Sequence, residues 1–228
     1  MLYIVGTPIG NLDDVSFRQA KTIAESDIIL SEDTRSAQTL IQGIKVRFPK
    51  FDFASGQRIV SYYQEKEFEK LPEILDLLEK DKTISLISES GMPLIYDPGY
   101  LLVKACIKKN IPFTVIPGPS AVTVSLIYSG FNPNEFMFLG FLPKKESEIS
   151  KIFTKLESIK KIFPEMIFVF YESARRINGT LGILSQSSWI REVVIGRELT
   201  KKFEEIMHGK PENLLKMEFK GETTLLVI

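Results

Sequence analysis

Short apolar runs alternate with longer stretches of helical periodicity along the first half of the chain. Four runs, Leu2–Val5, Asp27–Leu30, Thr83–Ser88 and Pro112–Gly118, are bounded by turn residues, which is typical of buried strands. The stretches between them predict helices over about Val15–Glu25, Glu65–Lys80 and Tyr100–Lys109. Strands that alternate with helices form parallel sheets, so the pattern predicts an α/β fold with helices flanking the sheet.

The pattern restarts after Pro117–Ser120, where two prolines and a glycine punctuate the chain. We therefore predict two α/β domains, residues 1–117 and 118–228. A helix from Ala121, a charged amphipathic helix from Lys144 and several apolar strands predict a second, mixed sheet. At the other end of the chain, Asp13 or Asp14 is the predicted N-cap of the first helix.

One segment, residues 42–58, has no clear period and is predicted to be an irregular loop. The composition is that of a globular protein, with 44% hydrophobic and 25% charged residues among 228. Lys plus Arg and Asp plus Glu both number 29, so no global basic field attracts nucleic acid. Any RNA contact must use a local patch.

The compartment is predicted from three features of the sequence. Cys106 is the single cysteine and lies in an apolar periodic stretch, which suits a reducing environment. No apolar run reaches the roughly twenty residues that span a bilayer. Met1 leads directly into a strand-like segment without a basic leader. We expect a cytoplasmic protein with no membrane partner.

Two classes of site are disfavoured. The chain has no G-x-x-x-x-G-K-[ST] loop, and GTPIGN after the first strand is not a dinucleotide fingerprint, which argues against nucleoside triphosphates and nicotinamide cofactors. One histidine, His208, and one cysteine cannot form a zinc site, so no metal is expected.

Informative residues cluster immediately after the predicted strands. The segments are TPIGN, SEDTR, SESGMPLIYDPG, PGPSA, FYESARR and GRELTKKFEE. In open α/β sheets the ligand site lies outside the carboxyl ends of the strands, so we expect these segments to converge. Their glycines and prolines allow backbone groups to approach a ligand closely, which suits a flat adenine and a ribose.

In this order, the segments resemble the tetrapyrrole-methylase superfamily and, within it, the ribosomal small-subunit cytidine-2′-O-methyltransferase family. The resemblance covers nearly the whole chain. It implies a methyltransferase with S-adenosylmethionine in the cleft between two α/β domains, usually as a homodimer. It also implies 16S ribosomal RNA, or the small ribosomal subunit, as the partner.

The resemblance also implies which residues contact the cofactor, largely through backbone groups. They are Pro8 after the first strand, Gly91, Met92, Pro93 and Ile95 in the second loop, Ser120 and Ala121 after the hinge, and Tyr171, Glu172 and Leu199 on the adenine side.

A ribose hydroxyl is a poor nucleophile until a base draws away its proton. Carboxylates that follow predicted strands are the candidates, namely Glu32, Asp33, Glu172 and Glu198, although helix caps and salt bridges explain such residues equally well. We also expect Arg35 to act in the site. With Arg175, Arg176, Arg197, Lys201, Lys144 and Lys145 it could form a positive rim for a phosphate backbone.

Aromatic residues offer a further RNA contact. Tyr62, Tyr63 and Phe68 could stack a splayed base, or they could simply pack under the loop that carries them.

The chain departs from the family pattern at several positions. It has SESGMP for SDAGTP, ESARR for ESPHR, and SYYQEKE without the family's histidines, and it ends at Ile228 where members usually continue into a helical domain. These differences concern the substrate. The alternatives are therefore a small-molecule acceptor, such as a tetrapyrrole precursor, and a cofactor-binding protein without turnover.

Overall fold

A computed structural model describes residues 1–228, which divide into two compact units, Met1–Ser120 and Ala121–Ile228. The first unit contains one five-stranded parallel sheet in the order β3-β2-β4-β1-β5. Its strands are β1 Leu2–Val5, β2 Ile28–Ser31, β3 Arg58–Ser61, β4 Ile84–Ile87 and β5 Phe113–Ile116. The predicted fold class is confirmed.

Four helices connect these strands: α1 Phe17–Glu25, α2 Thr34–Arg47, α3 Gln64–Glu79 and α4 Tyr100–Lys109. The strands β2 and β4 are buried along their whole length, as expected for a parallel sheet covered on both faces. Separate hydrophobic clusters lie around Leu86 and around Ile29, and they account for the continuous apolar runs in the sequence.

The second unit contains a mixed five-stranded sheet in the order β6-β7-β10-β8-β9. Its strands are β6 Phe136–Phe141, β7 Ile167–Ser173, β8 Val193–Arg197, β9 Glu205–Gly209 and β10 Glu222–Val227. Its helices are α5 Ala121–Tyr128, α6 Glu146–Ile162, α7 Ile177–Leu184 and α8 Pro211–Leu214. The strands β6 and β7 are parallel, whereas β10 is antiparallel to both β7 and β8.

Two local predictions are wrong. Neither Asp13 nor Asp14 caps α1, because both lie in a 3₁₀ turn, Leu12–Asp14, and Ser16 caps the helix through a capping box with Gln19. Residues 42–58 are not one irregular loop, since α2 continues to Arg47.

None of the helices combines the length and apolar character that a membrane-spanning helix requires.

Candidate active site

The loops that follow β1 and β4 are joined by backbone hydrogen bonds. The Thr7 amide donates to the Gly91 carbonyl at 2.8 Å, and the Gly91 amide donates back to Thr7 at 3.2 Å. The Ser88 hydroxyl also donates to the Gly91 carbonyl at 2.8 Å. Pro8 and Met92 directly follow the two bonded residues, so the structure brings these predicted cofactor contacts together.

The loop that follows β5 packs against the loop that follows β1. A side-chain carbon placed on Gly6 would lie 2.7 Å from the Gly118 backbone, so the two glycines touch directly. The Gln19 side chain of α1 donates to the carbonyls of Gly6 at 2.9 Å and Pro117 at 3.1 Å. This buried amide therefore ties two loops together, and Ser120 lies at the end of the second.

The loop from Gly91 to Gly99 has an unusual backbone. Gly91, Leu94, Tyr96 and Gly99 all have positive φ, although the left-handed region is costly for Leu and Tyr. A side-chain carbon placed on Gly91 would lie 3.4 Å from the Pro119 carbonyl oxygen. The loops after β4 and β5 therefore expose backbone atoms rather than side chains to each other at Gly91 and Pro119.

A buried carboxylate fixes the far end of this loop. Glu67 of α3 is 5% exposed and accepts hydrogen bonds from the amides of Gly99 at 3.1 Å and Leu101 at 2.8 Å. Glu67 thereby accepts hydrogen bonds from amides at the N-terminus of α4. The N-cap of this helix is Gly99, which has no side chain that could accept them.

The loop after β2 carries Glu32, Asp33 and Arg35. Asp33 caps α2 and accepts two side-chain hydrogen bonds from Arg35, at 3.2 and 2.8 Å, which lower the pKa of the carboxyl to about 2. Asp33 is therefore held as a cap rather than as a base. The Arg35 guanidinium is paired in the same contact and exposed.

Asp97 was not among the predicted site residues. Burial of its carboxyl, with smaller contributions from the charges of Glu32 and Glu89, raises the pKa of Asp97 to about 6. It makes no hydrogen bond or ion pair that would hold the ionised form. The sequence contains Asp97 within YDPG, but its burial beside two carboxylates arises only when the ends of β2 and β4 meet.

In the second unit, the side chain of Glu172 on β7 is buried, and neighbouring residues satisfy its carboxylate. Its carboxylate accepts a hydrogen bond from Thr180 at 2.8 Å and forms an ion pair with Arg176 at 2.5 Å. The Ser173 amide donates to it at 2.6 Å. Its neighbour Tyr171 packs on the aromatic rings of Phe138 and Phe141.

Glu198 is likewise engaged. It accepts hydrogen bonds from the Glu222 amide at 2.9 Å and from Lys201 at 3.0 Å, and these bonds lower the pKa of its carboxyl. Three of the four predicted bases, Asp33, Glu172 and Glu198, thus have satisfied carboxylates. Only Glu32 makes no hydrogen bond or ion pair.

A buried hydroxyl next to Leu199 lacks a partner. Ser125 of α5 is 1% exposed, and its Oγ makes no hydrogen bond. A side-chain carbon placed on Gly196 would lie 3.2 Å from both this Oγ and a methyl group of Leu199. Ser125 lies about one helical turn after Ala121 in α5. Ser125, Gly196 and Leu199 therefore form a small group in the second unit, one turn along the helix from Ala121.

Comparison with known proteins identifies the chain. The family model of the tetrapyrrole (corrin/porphyrin) methylases matches residues 1–215. The chain belongs to the tetrapyrrole methylase family. It is therefore an enzyme that transfers a methyl group from S-adenosylmethionine.

Several relatives of this methylase share one name. "Ribosomal RNA small subunit methyltransferase I" of Thermotoga maritima is 39% identical over 92% of this chain and 87% of its own length. The protein of the same name from Hydrogenobaculum sp. is 36% identical over 99% of this chain and 94% of its own.

Solved structures share the fold of this methylase. The methyltransferase CobJ has a TM-score of 0.70 at 15% identity over 99% of this chain and 92% of its own. Diphthine synthase has a TM-score of 0.69 at 15% identity, covering 100% and 88% of the two chains.

The residues of the methylase fit the cofactor that the family requires. In the first unit, the bare backbone at Gly91 and Pro119 offers a carbonyl oxygen, which suits a sulfonium charge. In the second unit, the unpartnered Ser125 hydroxyl beside Leu199 suits a ligand that carries hydrogen-bonding atoms.

Proposed function

We propose that this methylase methylates the ribose 2′-hydroxyl of a cytidine in 16S ribosomal RNA. The supporting observation is its similarity, over nearly its full length, to proteins named for the small-subunit ribosomal RNA. We also propose that it works as a cytoplasmic homodimer, as the family resemblance implies.

The predicted cofactor contacts keep their roles in this proposal. In the first unit these are Pro8, Gly91, Met92, Pro93, Ile95 and Ser120. In the second unit they are Ala121, Tyr171, Glu172 and Leu199. When bound, S-adenosylmethionine supplies a methyl group on a positively charged sulfur. The hydrogen bonds of Gln19 and Ser88 hold the loops in place, so that little reorganisation is needed on binding.

Asp97 is the base that we propose for the reaction. Its carboxylate would accept the proton of the 2′-hydroxyl as the hydroxyl oxygen bonds to the methyl carbon. Bound S-adenosylmethionine would supply that methyl group, and its carbon–sulfur bond would break to leave a neutral thioether. A base works best when its pKa lies near the working pH, and the pKa of Asp97, about 6, satisfies this condition. Glu32, one of the predicted bases, makes no ion pair, and its charge favours the protonated form of Asp97. Arg35 also follows β2, and we retain its predicted place among the residues of the site.

Incubation with methyl-labelled S-adenosylmethionine and small ribosomal subunits tests the proposal. We expect label in the RNA fraction, and none in porphyrinoids offered as alternative acceptors. Label in a porphyrinoid, with none in RNA, would replace the proposed acceptor by a small molecule.

A further inference from the structure

The ends of β6 and β7 are tied together by one arginine. The strands are parallel, with Phe141 opposite Tyr171. Arg176 follows β7 and donates to the carbonyls of Leu142 at 3.2 Å and Pro143 at 2.9 Å, both of which follow β6. Its ion pair with the buried Glu172 holds the guanidinium in place. The segments after the two strands therefore form one fixed surface.

Most of the cations predicted for an RNA-binding rim are neutralised in the structure. Arg35 pairs with Asp33, and Arg176 pairs with Glu172. In the second unit Arg197 pairs with Glu205 at 3.0 Å, and Lys201 pairs with two glutamates at 3.0 Å each. These cations have little charge left to offer a phosphate.

Two of the predicted cations remain without a carboxylate partner, and both lie on the fixed surface. Lys144 follows β6 and Arg175 follows β7, and both side chains are exposed. Lys145, next in the chain, is only loosely paired with Glu148 at 3.6 Å. The carboxylate of Glu146, two residues after Lys144, pairs with no cation, so it offsets part of the positive charge of Lys144 and Lys145.

An exposed aromatic side chain lies three residues before Lys144, at the end of β6. Phe141, the last residue of β6, is 54% exposed, and its ring centroid is 5.4 Å from that of Tyr171. Exposed rings next to lysine and arginine are typical of surfaces for single-stranded nucleic acid, where bases stack and phosphates are neutralised.

We propose that Phe141, Lys144 and Arg175 bind the single-stranded RNA that flanks the methyl acceptor. The inference rests on the proposed function, since it identifies how the chain would recognise that acceptor. Lys144 and Arg175 contact phosphates, and Phe141 stacks on a base. Because phosphate contacts carry little sequence information, this surface contributes affinity rather than the choice of cytidine.

The test is fluorescence anisotropy with a labelled single-stranded RNA, measured from low to moderate salt. Lys144→Ala with Arg175→Ala should weaken binding about tenfold and reduce the magnitude of the salt slope by about 1.4, since each phosphate contact on a single strand contributes about 0.7. Phe141→Leu should weaken binding roughly fivefold and leave the salt slope unchanged.

Lys210 is the matched control for Lys144. It is exposed, forms no ion pair and follows β9, which runs antiparallel to β8, so it lies at the opposite end of the sheet from Arg175. Lys210→Ala should leave RNA affinity unchanged. Equal RNA affinity of the double variant and the wild type, or an equal loss in Lys210→Ala, would overturn the proposal.

Two further results separate this inference from the proposed function. If the double variant binds free RNA normally but loses affinity for whole ribosomal subunits, the surface contacts a protein and the inference is wrong. If the wild type binds RNA through this surface but transfers no label to it, the inference holds and the proposed function fails.

Discussion

Asp97 differs from Asp33, Glu172 and Glu198 in lacking a hydrogen bond that stabilises its charge. Asp33 has the opposite environment, because Arg35 holds its pKa near 2. The raised pKa of Asp97 means that its ionised form, present above about pH 6, is costly to the folded protein. Such a cost is typical of a functional carboxylate rather than a structural one.

Asp97→Asn is the variant that tests this assignment. We expect kcat to fall about 100-fold or more, because a general base contributes roughly that factor. In the wild type, kcat should fall about tenfold per pH unit below pH 6, as Asp97 becomes protonated. Initial rates measured across this pH range check both expectations.

The same residue gives an independent stability readout. The raised pKa destabilises the folded protein above pH 6, so Asp97→Asn should raise the melting temperature at pH 8 by about 3 °C. The difference should shrink as the pH falls through 6 and vanish below the ordinary Asp value of 3.8. Glu89→Gln is the control, since removing a neighbouring charge should lower the pKa of Asp97 and with it the pH at which the melting temperature changes. If Asp97→Asn leaves the pH dependence of the melting temperature unchanged, Asp97 is excluded as the base.

Among the elements, the contact between the loops after β1 and β5 is the one most sensitive to volume. Gly6→Ala forces a methyl group into the Gly118 backbone, and backbone cannot give way as a flexible side chain can. We expect a loss of about 2 kcal/mol in the free energy of unfolding and at least tenfold weaker cofactor binding. Urea unfolding and calorimetric titration measure the two effects.

Gly182→Ala is the matched control for the change of Gly6. Gly182 lies within α7 with open space around its Cα, so the added methyl group should stabilise the helix by about 0.5–1 kcal/mol. If Gly6→Ala binds the cofactor as the wild type does, the loops after β1 and β5 do not form the proposed site.

The second prediction at this scale concerns the cap of α4. Glu67→Ala leaves the buried amide of Gly99 and the half-buried amide of Leu101 without an acceptor, which should cost roughly 2 kcal/mol of unfolding free energy. Glu69→Ala removes an exposed carboxylate from the same helix and should change the stability by less than about 0.5 kcal/mol. Equal midpoints of the two variants in urea would contradict the role of Glu67.

The elements differ in how well the sequence alone predicts them. The bounds of α4, Tyr100–Lys109, follow directly from its apolar periodicity and the glycine before it. The strand β3 is missed because it has four residues, lies at the sheet edge and is only partly buried, so its apolar pattern is weak. The helix α2 carries a usable signal, since Ala37, Ile41 and Ile44 are buried at helical spacing.

At the scale of the whole molecule, the ordered motifs predict the family, the fold class and the cofactor. The loops after β1, β4 and β5 meet as expected because parallel neighbouring strands end at one edge. The state of each charged side chain could not be predicted in this way. Whether Lys201 pairs with Glu222, or Asp97 is buried beside the charge of Glu32, depends on packing between segments that are distant in sequence.

The central claim, a ribose methyltransferase acting on the small ribosomal subunit, is tested most directly by identifying the methylated nucleoside. Small subunits that lack the modification would be incubated with the protein and S-adenosylmethionine, and their RNA digested to nucleosides for mass spectrometry. We predict 2′-O-methylcytidine, formed by the wild type and at least 100-fold more slowly by Asp97→Asn. A methyl group on a base, or no methylated nucleoside despite bound cofactor, would contradict the claim.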